Sequence, residues 1–434
     1  MKTVEVVEIV PATRPIDANI HLPGSKSYTN RALLVAALAN GESILSHALF
    51  SDDTRYMIGA LQSLGISIEA NPEAEEIRVA GIGGPPPAEL ANLFVGNAGT
   101  AARFLTAYVA LGNGRYRIDG VKRMHERPIG PLLDALQQLG VDARSEENNG
   151  CPPVLVTSRG LIGGAVTIPG HISSQFISAL MMVAPMTRRG IELIIEGDLV
   201  SKPYVDLTAS VMRVFGASAV IENYQRIHVP GQQRYHARQY AVEPDASAAS
   251  YFLAAAAITS GRVRIASLGK SSAQGDLRLA QILEKMGCQV TWAADWIELR
   301  GPDQLHGIDV DMSELSDVAQ TLAAIAPFAD SPVRIRGIGH IRLKETDRLR
   351  AVTTELKRLS GNVQETADGW EIQPSVLKAA TIETYDDHRM AMSFAVTGLR
   401  VPGLRIANPA CVAKTFPDFF ERFADLTDAS PGTD

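Results

Sequence analysis

Residues 27–41 read SYTNRALLVAALANG: a small polar residue able to cap a helix, an apolar run with no charge beyond Arg31, and a glycine stop. The same phrase returns at Thr100 (TAARFLTAYVALGNG), Ser174 (SQFISALMMVAPM), Ser247 (SAASYFLAAAAITSG), Asp317 (DVAQTLAAIAPFA) and Asp387 (DHRMAMSFAVTGL). The steps between these polar residues are 73, 74, 73, 70 and 70. A second, more amphipathic helix is interleaved and is followed by a short β-rich run: LQSLGISIEA, LDALQQLGVDAR, SVMRVFGASAVIE, LEKMGCQVTWA and LKRLSGNVQET. Its glycines, Gly65, Gly140, Gly216, Gly287 and Gly361, stand 75, 76, 71 and 74 residues apart. Each is expected just past a helix end, where a left-handed backbone is needed. FFERFADL, residues 419–426, supplies a sixth such helix.

The chain of 434 residues thus divides into six units of about 72. Each reads strand, buried helix, strand, amphipathic helix, strand, strand. That period is too long for a solenoid and fits small α/β units, three to a domain. Proline-bearing turns at Leu22-Pro23-Gly24 and Glu243-Pro244-Asp245 flank the first three units. They predict a domain over residues 24–242 and a second made of 1–23 with 243–426, the N-terminal segment returning as an edge strand. The tail, 427–434 (TDASPGTD), is patternless and is expected to be disordered.

Composition bounds the function. With 46% apolar and 21% charged residues the chain can fill cores, and a net charge of −7 gives it no global basic field for nucleic acid or an anionic membrane. Any anion must be held locally. Three cysteines, Cys151, Cys288 and Cys411, are too few for a disulfide framework and read as free buried thiols in a reducing cytoplasm. Neither a signal peptide nor a stretch of ~18 uncharged apolar residues is visible, so a cytoplasmic protein is expected.

A helix N-terminus offers unpaired N–H donors and partial positive charge, and here cations gather around it. Lys26 and Arg31 lie at the first cap, Asn97, Gly99 and Arg103 at the second, and His388 and Arg389 at the sixth, while Ser173, Ser174 and Gln175 offer neutral donors at the third. Loops add Arg127, Ser201, Lys202, Tyr204, Lys344, Glu345, Arg348 and Lys414. Capping alone accounts for any one polar residue at a helix start, and a charge run such as KETDR ordinarily reads as a solvated helix start. Six in register favour a shared site for small multi-anionic ligands. PGSKS lacks the G-x-x-x-x-G-K-[ST] spacing of an ATP loop, and no Cys/His spacing forms a metal site.

The segments PGSKSYTNRALLVAAL, GNAGTAARFLTA, RMHERPIG, SSQFISALMM, SKPYVDLT, EPDASAASYFLAAAAI, QGD, KETDRL, DDHRMAM and AKTFPDFF, in this order from about residue 20 to 423, resemble the 5-enolpyruvylshikimate-3-phosphate synthase family. The resemblance implies an inside-out α/β fold of two domains, each of three βαβαββ units, closing over an active site in the cleft. It implies transfer of the enolpyruvyl group of phosphoenolpyruvate to the 5-hydroxyl of shikimate 3-phosphate in the shikimate pathway, with no cofactor and no metal. The implied partners are those two small molecules, with neither nucleic acid nor membrane, and the expected state is a monomer.

Carried over residue by residue, the family pattern sets shikimate 3-phosphate on Lys26, Ser27, Arg31, Ser173, Ser174, Ser201 and Tyr204, and on Asp317, His340 and Lys344. Phosphoenolpyruvate falls to Lys26, Asn97, Gly99, Arg127 and Gln175, and to Arg348, His388, Arg389 and Lys414. The chemistry asks for a base at the 5-hydroxyl and an acid at the methylene carbon. Asp317 is assigned the first, Glu345 the second, and Lys26 aids proton transfer and charge neutralisation. Two positions depart from the family: His340 stands where many members have Asn, and Phe104 where many bacterial members have Pro. Two rivals stay open, a sister enolpyruvyl transferase acting on UDP-N-acetylglucosamine and an inactive phosphate-metabolite sensor. The loop GVKRMHERPIG lacks the cysteine of the first, and the matched charges speak against the second.

Overall fold

The repeat period becomes an alternation of helix types. In the computed structural model, which describes residues 5–428, the helices in chain order are α1 (Lys26–Leu38), α2 (Asp52–Ser63), α3 (Gly99–Val109), α4 (Gly130–Gln138), α5 (Ser174–Val183) and α6 (Pro203–Val214), then α7 (Ala246–Ile258), α8 (Leu279–Lys285), α9 (Ala319–Ile325), α10 (Arg348–Arg358), α11 (His388–Gly398) and α12 (Phe419–Asp428). The odd-numbered helices are the apolar repeats and are buried almost all round. Such helices have no wet face to offer and must lie inside a layer of other elements. The even-numbered ones carry polar outer faces and lie on the surface of each unit.

Two compact units result, residues 24–243 and the segments on either side of that range. Each has its own hydrophobic core, one built on Leu33, Phe104 and Leu180, the other on Phe252, Leu322 and Phe394. Several polar groups inside the buried helices find one another: Asn30 Nδ2 donates to Thr100 Oγ1 (2.7 Å), and Thr321 Oγ1 lies 3.1 Å from Ser250 Oγ and 3.4 Å from Ser393 Oγ. These bonds fix the rotation of neighbouring helices, since a buried hydroxyl without a partner would cost ~1–3 kcal/mol.

The described residues form six sheets of mixed pairing. In the second, third, fifth and sixth repeats the strand before the buried helix runs parallel to the strand after it, as with Leu90–Phe94 and Asn113–Asp119, because the helix serves as the crossover. A hairpin then adds antiparallel strands. The lead strands of the first and fourth repeats are exchanged. Asp17–Ile20, which precedes α1, pairs with Arg262–Ala266 beyond α7, while Gln239–Ala241, which precedes α7, pairs with Asn40–Ser46 beyond α1. Ser25 N–H donates to Glu243 O (2.8 Å) within one unit and Asp245 N–H to Pro23 O (3.0 Å) within the other, so both crossing points are tied down. Val6–Glu8 joins the last sheet against Arg405–Ala407.

Several local readings need correction. Ser27, Thr100 and Ser247 lie within the first turns of their helices, the N-cap positions falling to Ser25, Ala98 and Asp245, and Ser174 yields the cap to Ser173. The helix after Asp317 starts later, capped at Val318. Among the described N-caps of the six buried helices only Ser173, Asp245 and Asp387 accept a cap bond through their side chains; spacing locates a helix start only to within a turn. Gly65, Gly140, Gly216 and Gly287 take positive φ, but in the fifth repeat α10 ends one residue earlier relative to its glycine, and Ser360 (φ 66°) takes the left-handed place instead of Gly361.

The final helix keeps Thr427 and Asp428, so the tail does not begin at 427; residues 429–434 lie outside the described residues. Its Phe419 stacks on Phe423 (centroids 5.1 Å apart) and meets Phe252 of α7 edge-on, which anchors the helix to its core. All three cysteines are free, but only Cys288 is fully buried. Among the described residues no helix is long and apolar enough to cross a membrane.

Candidate functional site

In the unit 24–243 the functional groups start from α1. Lys26, its first residue, sets Nζ 3.3 Å from Oδ2 of Asp53, a buried carboxylate at the start of α2. One turn on, Arg31 is 1% exposed. Its Nε donates to Thr208 Oγ1 (2.7 Å), Nη1 to Ser27 O (3.0 Å), and Nη2 to Ser178 Oγ (3.2 Å) and Tyr204 O (3.3 Å). The rings of Phe104 and Tyr204 lie 5.2 and 5.8 Å from its Cζ. Among the described residues its partners are all neutral, and burial pushes the guanidinium down to about 10, against the opposing pull of nearby tyrosines. A buried cation held only by dipoles is costly and favours an incoming anion.

A second group forms at α3. Arg127 Nη1 donates to Asn97 O (2.7 Å) and to Asn97 Oδ1 (3.0 Å), so the expected trio of Asn97, Gly99 and Arg127 is brought together. Gly99 leaves room for that guanidinium: a Cβ there would lie 2.4 Å from Arg127 Nη2. Arg103, one turn into the same helix, donates to Gly99 O (3.3 Å) and to Pro128 O, which fixes the chain just after Arg127. At α5 Ser173 accepts from Gln175 N–H (3.3 Å), and Ser178 links that helix to Arg31. Ser201 holds a left-handed φ of 55° and is buried, a strained backbone that brings Tyr204 O to Arg31.

The other unit carries a buried charge network. Arg348 is 1% exposed; its Nε donates to Asp387 Oδ2 (2.7 Å), Nη2 to Glu345 Oε2 (2.8 Å) and to Asp387 Oδ1 (3.2 Å), and Nη1 to Asp317 Oδ1 (3.4 Å). Burial alone would lower this guanidinium, but Asp387, Glu345 and Asp317 outweigh it and hold it above its ordinary value. Asp317 also accepts from Arg389 Nη2 (2.9 Å) and lies 3.9 Å from Lys344 Nζ, while Lys414 Nζ stands 3.6 Å from Glu345 Oε1. Lys344, Glu345 and Arg348 are therefore part of the interior network rather than a solvated helix start. His388 is buried with Nδ1 3.6 Å from Asp387 Oδ1. His340 Nε2 lies 2.9 Å from Ser316 Oγ; burial, helped by Lys344 and opposed by Asp317, pushes it down to about 4, so near neutral pH it is an uncharged imidazole.

The backbone leading into this network is itself strained. Tyr385 and Asp386 both take φ 55°, and the buried Glu355 holds them, accepting from Tyr385 O–H (2.7 Å) and from Glu383 N–H (3.1 Å). The next residue, Asp387, caps α11 by accepting from Arg389 N–H (2.9 Å), which aims His388 and Arg389.

Sequence reasoning gave no role to Asp53, and to Asp387 only that of a cap. The S-D-D-T run at 51–54 marks a helix start, and a second acid there is the one signal that could have flagged Asp53. Ser178 and Thr208, the partners of Arg31, were equally missed; Ser178 is a buried hydroxyl inside the apolar α5, a sign of a buried polar partner, whereas Thr208 lies in the amphipathic α6, where a hydroxyl carries no such signal.

With this geometry in view, comparisons place the chain. The family pattern described as EPSP synthase (3-phosphoshikimate 1-carboxyvinyltransferase) matches residues 10–423. The chain belongs to the EPSP synthase family. A 3-phosphoshikimate 1-carboxyvinyltransferase of Nostoc sp. (strain PCC 7120) is 52% identical over 424 residues, covering 98% of this chain and 100% of that protein. The enzyme of the same name from Shewanella amazonensis is 45% identical over 423 residues, 97% of this chain and 98% of its own. Among solved structures, an EPSP synthase from Acinetobacter baumannii superposes with a TM-score of 0.81 at 25% identity, over 97% of each chain. Members of this family are transferases by name, and the two-domain α/β repeat is the family fold.

Proposed function

We propose that this chain transfers the enolpyruvyl (1-carboxyvinyl) group of phosphoenolpyruvate to the 5-hydroxyl of shikimate 3-phosphate, releasing phosphate, in the route to chorismate and aromatic amino acids. Membership of the family and the names of relatives at about half identity over nearly the whole chain support the reaction. The observation that carries the residue roles is that Asp317 and Glu345 are both held on one buried guanidinium, that of Arg348, with Lys344 and Lys414 beside them.

In the addition step the 5-oxygen bonds to C2 of phosphoenolpyruvate and gives up its proton, while the methylene carbon gains one and becomes a methyl group. In the elimination step the bond from C2 to the phosphate oxygen breaks, phosphate leaves, and the methyl group returns a proton as the double bond reforms. Asp317 receives the hydroxyl proton and Glu345 exchanges the carbon proton, each held beside neighbouring cations. Lys26 neutralises charge as phosphate leaves.

Shikimate 3-phosphate is assigned to Lys26, Ser27, Arg31, Ser173, Ser174, Ser201 and Tyr204 with Asp317, His340 and Lys344. The enolpyruvyl donor is assigned to Lys26, Asn97, Gly99, Arg127 and Gln175 with Arg348, His388, Arg389 and Lys414. Arginine suits the planar grip on carboxylate and phosphate, and Arg31 in its neutral cage supports the assignment of an anion there. The same reading takes the protein as a cytoplasmic monomer that binds no nucleic acid, which its net charge of −7 supports.

A phosphate-release assay with both substrates tests the reading, comparing wild type with Lys26→Ala, Arg127→Ala, Asp317→Ala and Glu345→Ala. Release by the wild type and loss of ~100-fold or more in the variants is expected, in the range of lost acid–base groups. No release by the wild type ends the reading. Light scattering of the eluted protein tests the monomer.

A further inference from the structure

Five of the six buried helices lend side chains at or near their N-termini to the proposed reaction; α7 lends none, and neither does the QGD motif at residues 274–276. The two belong together. Gln274 clamps its loop to the start of α7, its Oε1 accepting from Ala246 N–H (3.1 Å) and its Nε2 donating to Pro244 O (2.7 Å). The clamp delivers Asp276, which is 6% exposed, to Ser247 in the first turn of α7, and Ser247 Oγ donates to Asp276 Oδ2.

A serine hydroxyl has one proton and two lone pairs. With the proton committed to Asp276, only lone pairs are left to face Arg389, whose Nη2 donates to Ser247 Oγ at 3.3 Å and to Asp317 Oδ2 at 2.9 Å. Nη1 of the same guanidinium reaches Tyr251 OH at 3.5 Å. The hydroxyl direction set by Asp276 thus decides whether Ser247 attracts the guanidinium or repels it. Burial and the neighbouring Asp317 raise the Asp276 carboxyl to about 6, with Arg389 and the Ser247 bond pulling it down and Asp245 pushing it up.

We propose that Asp276, acting through Ser247, is a positioning residue that holds the Arg389 guanidinium against Asp317 in the orientation that grips the enolpyruvyl donor. The inference rests on the reaction assigned above. It gives the fourth repeat a part in the site: Arg389 is aimed from one side by its own helix cap, Asp387, and from the other by the Asp276–Ser247 pair.

The test is a double-mutant cycle on the full-length enzyme with Ser247→Ala and Asp276→Asn, read as KM for each substrate and kcat. Each single variant raises KM for phosphoenolpyruvate by about 10-fold, within the range a misplacement of ~1 Å can cost. KM for shikimate 3-phosphate stays within about twofold and kcat within about threefold, as for lost ground-state grip. Adding Asp276→Asn to Ser247→Ala then changes little, since the first acts through the second. Full multiplication of the two effects, or parallel damage to both KM values, overturns the proposal. The crystal structure of Ser247→Ala decides it without turnover: Arg389 shifted by about 1 Å or more from its wild-type place supports it, and an unmoved guanidinium refutes it even if the assigned reaction should itself fail.

Discussion

Gly99 and Arg127 compete for one volume: a Cβ atom at position 99 would lie 2.4 Å from Nη2 and 3.0 Å from Cζ of the arginine. Contacts that short do not persist, so Gly99→Ala must push the guanidinium away. Arg127 is the end of a flexible side chain, and its donation to Asn97 O (2.7 Å) is what yields. Folding should survive, with the melting temperature nearly unchanged. KM for phosphoenolpyruvate should rise by roughly 10- to 100-fold, the range for ~1 Å of misplacement, with KM for shikimate 3-phosphate little altered. Steady-state kinetics with each substrate varied in turn checks this, and equal rises in both would refute it.

Arg348 and Asp387 form a buried pair whose loss can be isolated. Asp387 is fully buried, makes two bonds to the guanidinium, and also caps α11. Asparagine caps a helix about as well as aspartate, so Asp387→Asn can keep Oδ1 at the cap while it removes the charge and replaces Oδ2, the acceptor of Arg348 Nε–H, by an amide NH2. Breaking a buried ion pair from one side typically costs ~3–5 kcal/mol. Glu345 and Asp317 still face Arg348, which puts the expected loss toward the low end. Urea unfolding measures it, and a change under about 1 kcal/mol, the worth of a surface pair, would mean the pair is screened by solvent.

What the sequence made legible follows from which interactions are periodic. Helices such as α7 announce themselves because every position is apolar or small, and the step of about 72 counts them. The exchange of Asp17–Ile20 and Gln239–Ala241 between repeats was half visible: proline turns marked the crossings, and the N-terminal return was expected, but a three-residue strand has no period by which to announce its partner. In the site, the cations could be read because Arg and Lys beside an apolar helix are conspicuous. Of their counter-groups, Asp317 and Glu345 came with the family resemblance and several others could not be read. Asp53, Asp387, Thr208 and Ser178 each act across tens or hundreds of residues of sequence, and the doubled acid at 52–53 does not say which of the two faces Lys26.

The depressed His340 imidazole carries a pH signature. Its folded value of about 4 lies below the ordinary 6.5. Between those limits the unfolded chain binds the proton and the folded one does not, so stability is complete above pH 6.5 and is lost as pH falls toward 4. At pH 4.5 the loss from this group alone is roughly 2–3 kcal/mol. His340→Asn removes the term, so denaturant unfolding of the two proteins should give curves that diverge by that amount between pH 7.5 and 4.5, with the variant more resistant to acid. Parallel curves would mean the imidazole titrates normally.

Arg31 sets stability against function. Its four bonds go to neutral oxygens, and burial pulls the guanidinium down to about 10. A well-packed apolar side chain in place of a buried charge is often stabilising by ~1–4 kcal/mol. Methionine can follow the same path between the rings of Phe104 and Tyr204. Three of the four acceptors it abandons already serve one another, for Thr208 Oγ1 donates within reach of both Ser178 Oγ (2.8 Å) and Tyr204 O (2.7 Å). Arg31→Met should therefore unfold at higher urea concentration than wild type. It should also lose affinity for shikimate 3-phosphate by about 100-fold, near the ~3 kcal/mol upper worth of a charged hydrogen bond. Calorimetric titration of the variant checks the second half, and urea unfolding the first. A variant that binds normally removes Arg31 from the site, and one that unfolds earlier shows that the neutral cage repays the burial of the charge without a ligand.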